Sequence, residues 1–342
     1  MFARVTPPWV ALALAAVLVA GCGKNAPAPP PTPQIALVAN GGGFGDHGFN
    51  DSARGALEEC GRQTTVVLAT AAPTNTAGIE PKLVLFATEK FDTVIGIGYP
   101  AAPAMAAAAR RFEGTHFVII DAVVDEPNVE SITFDEPQGA FLAGALAALV
   151  SKTHRVAFVG GADVPLLERS EAGFTAGARE IDPRVEVENR YLASFTDAAA
   201  ARAAAGALLA RGVDILFVVA GPAGRGAIAA IERRPHAYAI GADTDQDGLA
   251  PGRILTSVVK HVDVAALRVC IETAGGKPES GHRVLGLADG GIGLTDFRYT
   301  KTIVGTPAIA RLERLRAAIV AGRVRVPASR AELAHFAPVT VL

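Results

Sequence analysis

The chain has 342 residues, half of them hydrophobic, which is enough for two domains with separate cores. Its 32 Lys and Arg stand against 34 Asp and Glu, so there is no basic excess to neutralise a phosphate backbone. A nucleic-acid polymer is therefore disfavoured as a partner, and a small neutral ligand stays open. In chain order the first element is apolar: Arg4 precedes "WVALALAAVLVA" (9–20), too short for a confident membrane span but the right length for the core of an export signal.

The next stretch, "LVAGC" (18–22), resembles the lipobox of bacterial lipoproteins, in which the cysteine is acylated and becomes the first mature residue. Several acyl chains on Cys22 would anchor the exported protein to a membrane, since one chain gives only marginal binding. "NAPAPPPTP" (25–33) reads as a semi-rigid extended spacer, so the folded body starts near Gln34.

From there the chain alternates. Apolar, β-branched runs recur at 34–40, 64–70, 92–98, 116–121 and 130–135, and again at 155–161, 184–192, 214–221, 237–243 and 254–260, with helical patterns or short connections between them. Continuous apolar strands alternating with helices mean parallel sheets covered on both faces. Two sets of about five strands are too many for one compact sheet, which makes the fold α/β with two doubly wound lobes. Cys60 falls on the stripe Ala53, Ala56, Leu57, Cys60, the core face of a helix. Cys60 and Cys270 are both read as buried thiols, with a disulfide left open by the oxidising compartment.

Ligands of open parallel sheets sit beyond the carboxyl ends of the strands. Five of these ends finish in Gly, Asp or Lys: "LVANGGGFGD", "FVIID", "FVVAG", "AIGAD" and "TSVVK". The loop "GGGFGDHGFNDSARGAL" (41–57) fits this rule, since its glycines allow a backbone to approach a ligand and Asn50 is suited to cap the helix that follows. Competing motifs fail. "DTDQDG" (243–248) starts like a calcium loop but has Ile254 where a bidentate acid is required, and no Walker loop, clean G-x-G-x-x-G or G-x-S-x-G elbow is present.

Taken in order, "GFGDHGFNDSARGAL", "FDEPQGAFLAGALAALVSK", "VAFVGG", "GFTAGARE", "YLASFTD", "FVVAGPAGRGAIAA", "AIGADTDQ", "LTSVVKHVD" and "VAGRVRVP" resemble the basic membrane protein family of lipoproteins, from about residue 35 to 328. These are nucleoside-binding, substrate-capturing subunits of ABC importers. The resemblance implies a type I periplasmic-binding-protein fold, two Rossmann-like lobes joined by three crossover segments. The expected organisation is a signal peptide (1–21), a lipidated cysteine and linker (22–33), a first lobe (34–135 plus 254–300) and a second (136–253 plus 301–342). It further implies a monomeric, non-enzymatic protein without cofactor, lipid-anchored on the extracytoplasmic side, that binds nucleosides, purine nucleosides foremost, and delivers them to permease subunits.

Carried over by position, the resemblance places Asp46, Phe49 and Asn50 at the lobe interface, with Phe49 as one aromatic face on a nucleobase and Phe195 as the other. Asp121 would accept from the base edge, and Asp243 and Lys260 would hold the ribose hydroxyls with the backbone of Gly221 close by. Gly48, where the family pattern has serine, and His47 depart from it and bear on base selectivity. Taken singly, each residue has a plainer role: Phe49 a hydrophobic staple, Asp46 a turn acid, Asp121 and Asp243 strand ends or caps, Phe195 core, Lys260 solvated surface. Their convergence on strand ends in one crevice is what favours a site. Two rivals are a sensor or binder of another small molecule, such as a sugar or autoinducer, and an exported nucleoside hydrolase using Asp46 and Asp243.

Overall fold

The computed structural model describes residues 31–41, 43–45 and 48–339. The signal segment, Cys22 and most of the spacer lie outside the described residues, as do Asp46 and His47.

The first lobe runs β1 (Gln34–Val38), α1 (Phe49–Gln63), β2 (Val67–Ala71), α2 (Ile79–Thr88), β3 (Thr93–Ile97), α3 (Ala102–Arg111), β4 (His116–Ile120) and β5 (Val129–Phe134). The second runs α4 (Glu136–Val150), β6 (Arg155–Gly160), α5 (Pro165–Ile181), β7 (Glu186–Tyr191), α6 (Ala198–Ala210), β8 (Ile215–Val219), α7 (Gly224–Ile231), β9 (Tyr238–Asp243) and β10 (Ile254–Lys260). The chain then returns to the first lobe with α8 (Val262–Ala274) and β11 (Gly281–Leu285), and crosses back with β12 (Ile292–Leu294), α9 (Lys301–Val304), α10 (Thr306–Val320) and α11 (Arg330–Leu333).

The two sheets have the orders β11-β5-β4-β3-β1-β2 and β12-β10-β9-β8-β6-β7. Every pairing is parallel except β10 with β12. The orders are equivalent position by position, so β4 of one lobe corresponds to β9 of the other. All ten expected strands form; the central ones do so because both sheet faces are covered and successive residues are apolar, whereas the edge strands β2 and β7 are partly exposed. Ile35 and Leu37 enter one core cluster while Ala36 and Val38 enter another, on the opposite face. In the second sheet Phe158 and Val159 divide the same way.

Three expectations need correction. Each sheet has six strands, not five, since β11 and β12 complete them at one edge. The assignment of 254–300 to the first lobe fails at both ends: β10 pairs with β9 and β12 pairs with β10, so both strands belong to the second sheet. Cys60 and Cys270 are not separate thiols but a disulfide joining α1 to α8, which pack side by side over the first sheet.

Helices α4 and α5 pack closely because glycines face backbone. A Cβ at Gly144 would overlap the Phe174 carbonyl oxygen, and one at Gly177 the Phe141 carbonyl oxygen. This contact fixes the start of α4, which matters for the site. Near the C-terminus, Arg330 in α11 binds Glu171 of α5 at 2.6 Å and secures the last segment to the second lobe.

Candidate functional site

Three short segments cross between the lobes: residue 135 between β5 and α4, residue 261 between β10 and α8, and residues 286–291 between β11 and β12. They are hydrogen-bonded to one another. The Asp135 amide donates to the Leu285 carbonyl (2.9 Å), the Leu287 amide to Gln138 Oε1 (2.9 Å), and the His261 amide to the Gly291 carbonyl (2.8 Å). Gln138 also donates to Asp135 Oδ2 at 2.7 Å, and burial pushes the Asp135 carboxyl above its ordinary value against the opposing pull of Arg169 and Gln138.

Beside these crossovers the ends of both sheets bring charge together. Lys260, the last residue of β10, is only 8% exposed. Its Nζ lies 2.9 Å from Asp121 Oδ1, 3.4 Å from Glu136 Oε1 and 3.6 Å from Asp243 Oδ1. Asp121 follows β4 and Asp243 ends β9, the equivalent strands of the two lobes, and both have φ of +69°. Aspartate tolerates this left-handed backbone better than most residues, but it still costs on the order of 1 kcal/mol or more and is found where a site demands it. Burial pushes the Asp121 carboxyl up, a trend that Lys260 opposes and that Asp243 and Glu136 reinforce. Burial by itself would depress Lys260, yet Asp121, Asp243 and Glu136 together hold the ammonium well above the ordinary lysine value. The lysine is thus a fixed cation among three carboxyl groups, and its contact with Asp121 spans the lobes.

Phe195 stands on the second lobe, 37% exposed. Its ring lies over Gly161 at the end of β6, where any Cβ would run into it, and against Gly221, whose φ is +53°. The loop is held by the Ser194 amide donating to the Gly161 carbonyl (2.7 Å) and the Ala223 amide to the Phe195 carbonyl (2.9 Å). Gly161 is required because the ring occupies the space that a side chain would fill, and Gly221 because its backbone is left-handed.

On the first lobe, Phe49 is the first residue of α1 and half-buried against the cluster that holds Leu57 and Val262. Asn50 is not the helix cap, since α1 already begins at Phe49 with Gly48 before it. Its buried carboxamide instead accepts from the Asn40 amide (2.9 Å) and donates to Asn40 Oδ1 (2.9 Å) and the Gly43 carbonyl (2.7 Å), joining the glycine loop to the end of β1. Among the described residues, the ring contacts do not join Phe49 to Phe195.

The expected residues therefore fall into a charged group (Asp121, Asp243, Lys260), an aromatic group (Phe195, Gly221) and a loop group (Phe49, Asn50). Glu136 was missed. It lies two residues past the end of β5 in "FDEPQGAF", and extending the strand-end rule into the first residue of α4 would have found it. The calcium-like segment is occupied by other contacts: Asp247 accepts from Ser257 (2.7 Å) and Thr295 (2.6 Å), and Asp245 pairs with Arg298 (2.7 Å). Among the described residues, no group of His, Cys, Asp and Glu is arranged to hold a metal ion, and no helix is long and apolar enough to cross a membrane.

Two doubly wound lobes of equivalent strand order, three crossovers and a charged cluster where strand ends of the two lobes meet define a type I periplasmic-binding-protein fold. A solute-binding protein of an ABC transporter system from Aeropyrum pernix K1 is similar in structure, with a TM-score of 0.73 and 23% identity, covering 89% of this chain and 96% of that one. The chain belongs to the Bmp family of ABC transporter substrate-binding proteins, PnrA-like, which it matches over residues 33–330. Basic membrane protein D of Borreliella burgdorferi is 32% identical over 271 residues, 76% of this chain and 78% of its own. The ABC transporter nucleoside-binding protein BmpA of Lactococcus lactis is 29% identical over 316 residues, 86% of this chain and 89% of its own.

Proposed function

We propose that this substrate-binding protein captures nucleosides, purine nucleosides foremost, between its lobes and delivers them to the permease subunits of an ABC importer. Acyl chains on Cys22 hold it to the membrane. The observation that carries the reading is the cluster of Lys260, Asp121, Asp243 and Glu136, which joins strand ends of both lobes. Three carboxyl groups around one ammonium suit a neutral ligand rich in hydroxyls, whose O–H groups donate to carboxylates and whose oxygens accept from the lysine. A nucleotide phosphate would face net negative charge and be repelled. The name of the Lactococcus relative supports the same ligand class.

In this reading the base lies flat against Phe195 and is covered by Phe49 as the lobes close, and stacking contributes roughly 1 to 3 kcal/mol per base. Asp243 and Lys260 take the ribose hydroxyls, and Asp121 exchanges part of its contact with Lys260 for the base edge. Asn50 acts through the loop it braces, which carries Asp46 and Phe49, while the Gly221 turn keeps the second wall open. A ligand that touches both lobes stabilises the closed form, because only that form offers all the contacts at once.

Isothermal titration calorimetry with adenosine, guanosine, inosine, uridine and cytidine, set beside ribose and nucleoside monophosphates, tests this. Nucleosides should bind, and ribose, which loses the base stacking, and monophosphates, which meet the repulsion of the carboxylates, should each be weaker by about tenfold or more. A flat response to every nucleoside overturns it, and a preference for free sugars would instead mark a sugar binder on the same fold.

A further inference from the structure

Lys260 belongs to the second lobe, but its nearest partner, Asp121, belongs to the first. When the lobes part, Asp121 moves away, and a buried ammonium that loses its partner is strongly disfavoured. Asp243 stays with the second lobe, but its side chain is 39% exposed and lies at 3.6 Å. Glu136 is different. Its side chain is 9% exposed, Oε1 faces Lys260 at 3.4 Å, and Oε2 faces Arg169 of α5 at 3.8 Å. Arg169, Glu136 and Lys260 therefore form a row within one lobe.

The backbone under Glu136 is also immobilised. Pro137 follows it in the first turn of α4, and the next turns are locked against α5 through Gly173, Gly177 and Gly144. A carboxylate in the first turn of a helix is further stabilised by the helix dipole.

We infer that Glu136 is a positioning residue that keeps the Lys260 ammonium in place on the second lobe when Asp121 is out of reach, so that an arriving ligand meets a preset donor. The role for the ligand rests on the nucleoside reading above, whereas the hold on Lys260 does not.

Two measurements test it. In ligand-free protein, the rate at which Lys260 is acylated by an amine-reactive ester is followed by peptide mass spectrometry. Asp121→Asn alone should leave the rate within about twofold, and Asp121→Asn with Glu136→Gln should raise it about tenfold or more, as expected when a buried charge pair is lost. Equal rates in the single and double variants overturn the inference. If the double variant does not fold, Glu136→Asp in the same background retracts the carboxylate by one methylene and should give an intermediate rise; no rise overturns it.

In the second measurement, calorimetry compares a nucleoside with its 2′,3′-dideoxy analogue. Wild-type protein should prefer the nucleoside, and Glu136→Gln should shrink that preference by about tenfold, because a displaced ammonium no longer distinguishes the hydroxyls. A merely structural role would lower the melting temperature and leave the ratio intact, which would refute positioning. Failure of wild-type protein to bind any nucleoside removes the ligand reading, and the acylation rates still decide the role of Glu136.

Discussion

Removing the Cys60–Cys270 disulfide should lower stability substantially, and the size of the effect can be worked out. The bridge closes a loop of 210 residues that contains five of the six strands of the second lobe, β6 to β10. In the chain-entropy account, a loop of that length removes about 18 cal/mol/K from the unfolded ensemble, or about 5 kcal/mol at 25 °C. The dependence is logarithmic. If the second lobe stays folded while the first unfolds, fewer than half of those residues are free, and the figure falls only to about 4.5 kcal/mol. With roughly 2 cal/mol/K of unfolding entropy per residue, this amounts to about 8 °C if the body melts as one unit, and more if the first lobe melts alone. Cys60→Ala/Cys270→Ala and the reduced wild-type protein, its thiols counted by mass, would be melted by calorimetry and circular dichroism beside the oxidised form. A melting temperature within 2 °C of the oxidised protein in both would refute the reasoning, because it would mean that α1 and α8 are held fully by their packing.

Gly161→Val should force the Phe195 ring off its seat, since a Cβ there already overlaps it; calorimetry should show nucleoside affinity reduced about tenfold or more, with the far-UV spectrum unchanged. Glu130 is buried in the first lobe beside Arg283 at 3.1 Å, and burial pushes its carboxyl up to about 7. Since this folded value lies above the ordinary 4.5, the folded state holds the proton more tightly, and its contribution is present below pH 4.5 and lost as the pH rises to 7. Denaturant titrations should show about 3 kcal/mol lost over that window from this group, and Glu130→Gln should flatten the loss. An unchanged slope in the variant would place the pH response elsewhere.

The fold was legible wherever burial on both sheet faces makes a strand uniformly apolar, as in "HFVIID". It was not legible at β11, an edge strand whose "GHRVL" carries polar residues toward water, nor at β12, which is three residues long. The lobe assignment of β10 was misread because a single residue, His261, separates it from α8, and nothing local marks so short a crossing. The strand-end rule found Asp121, Asp243 and Lys260 without knowing their distances, but stopped short of Glu136 because that residue opens a helix. Periodicity put Cys60 on the correct face of α1, while its partner 210 residues away depends on the packing of α1 against α8, which no local pattern encodes.

The three mutually bonded crossovers have a mechanical consequence. A pair of bodies linked by one strand of chain can twist, slide and swing, and a ligand would have to freeze all of these motions. Tethers lying side by side and stitched together resist torsion and sliding and leave one soft bending coordinate. Capture then restricts a single degree of freedom, so little of the ligand's contact energy is spent on ordering the halves.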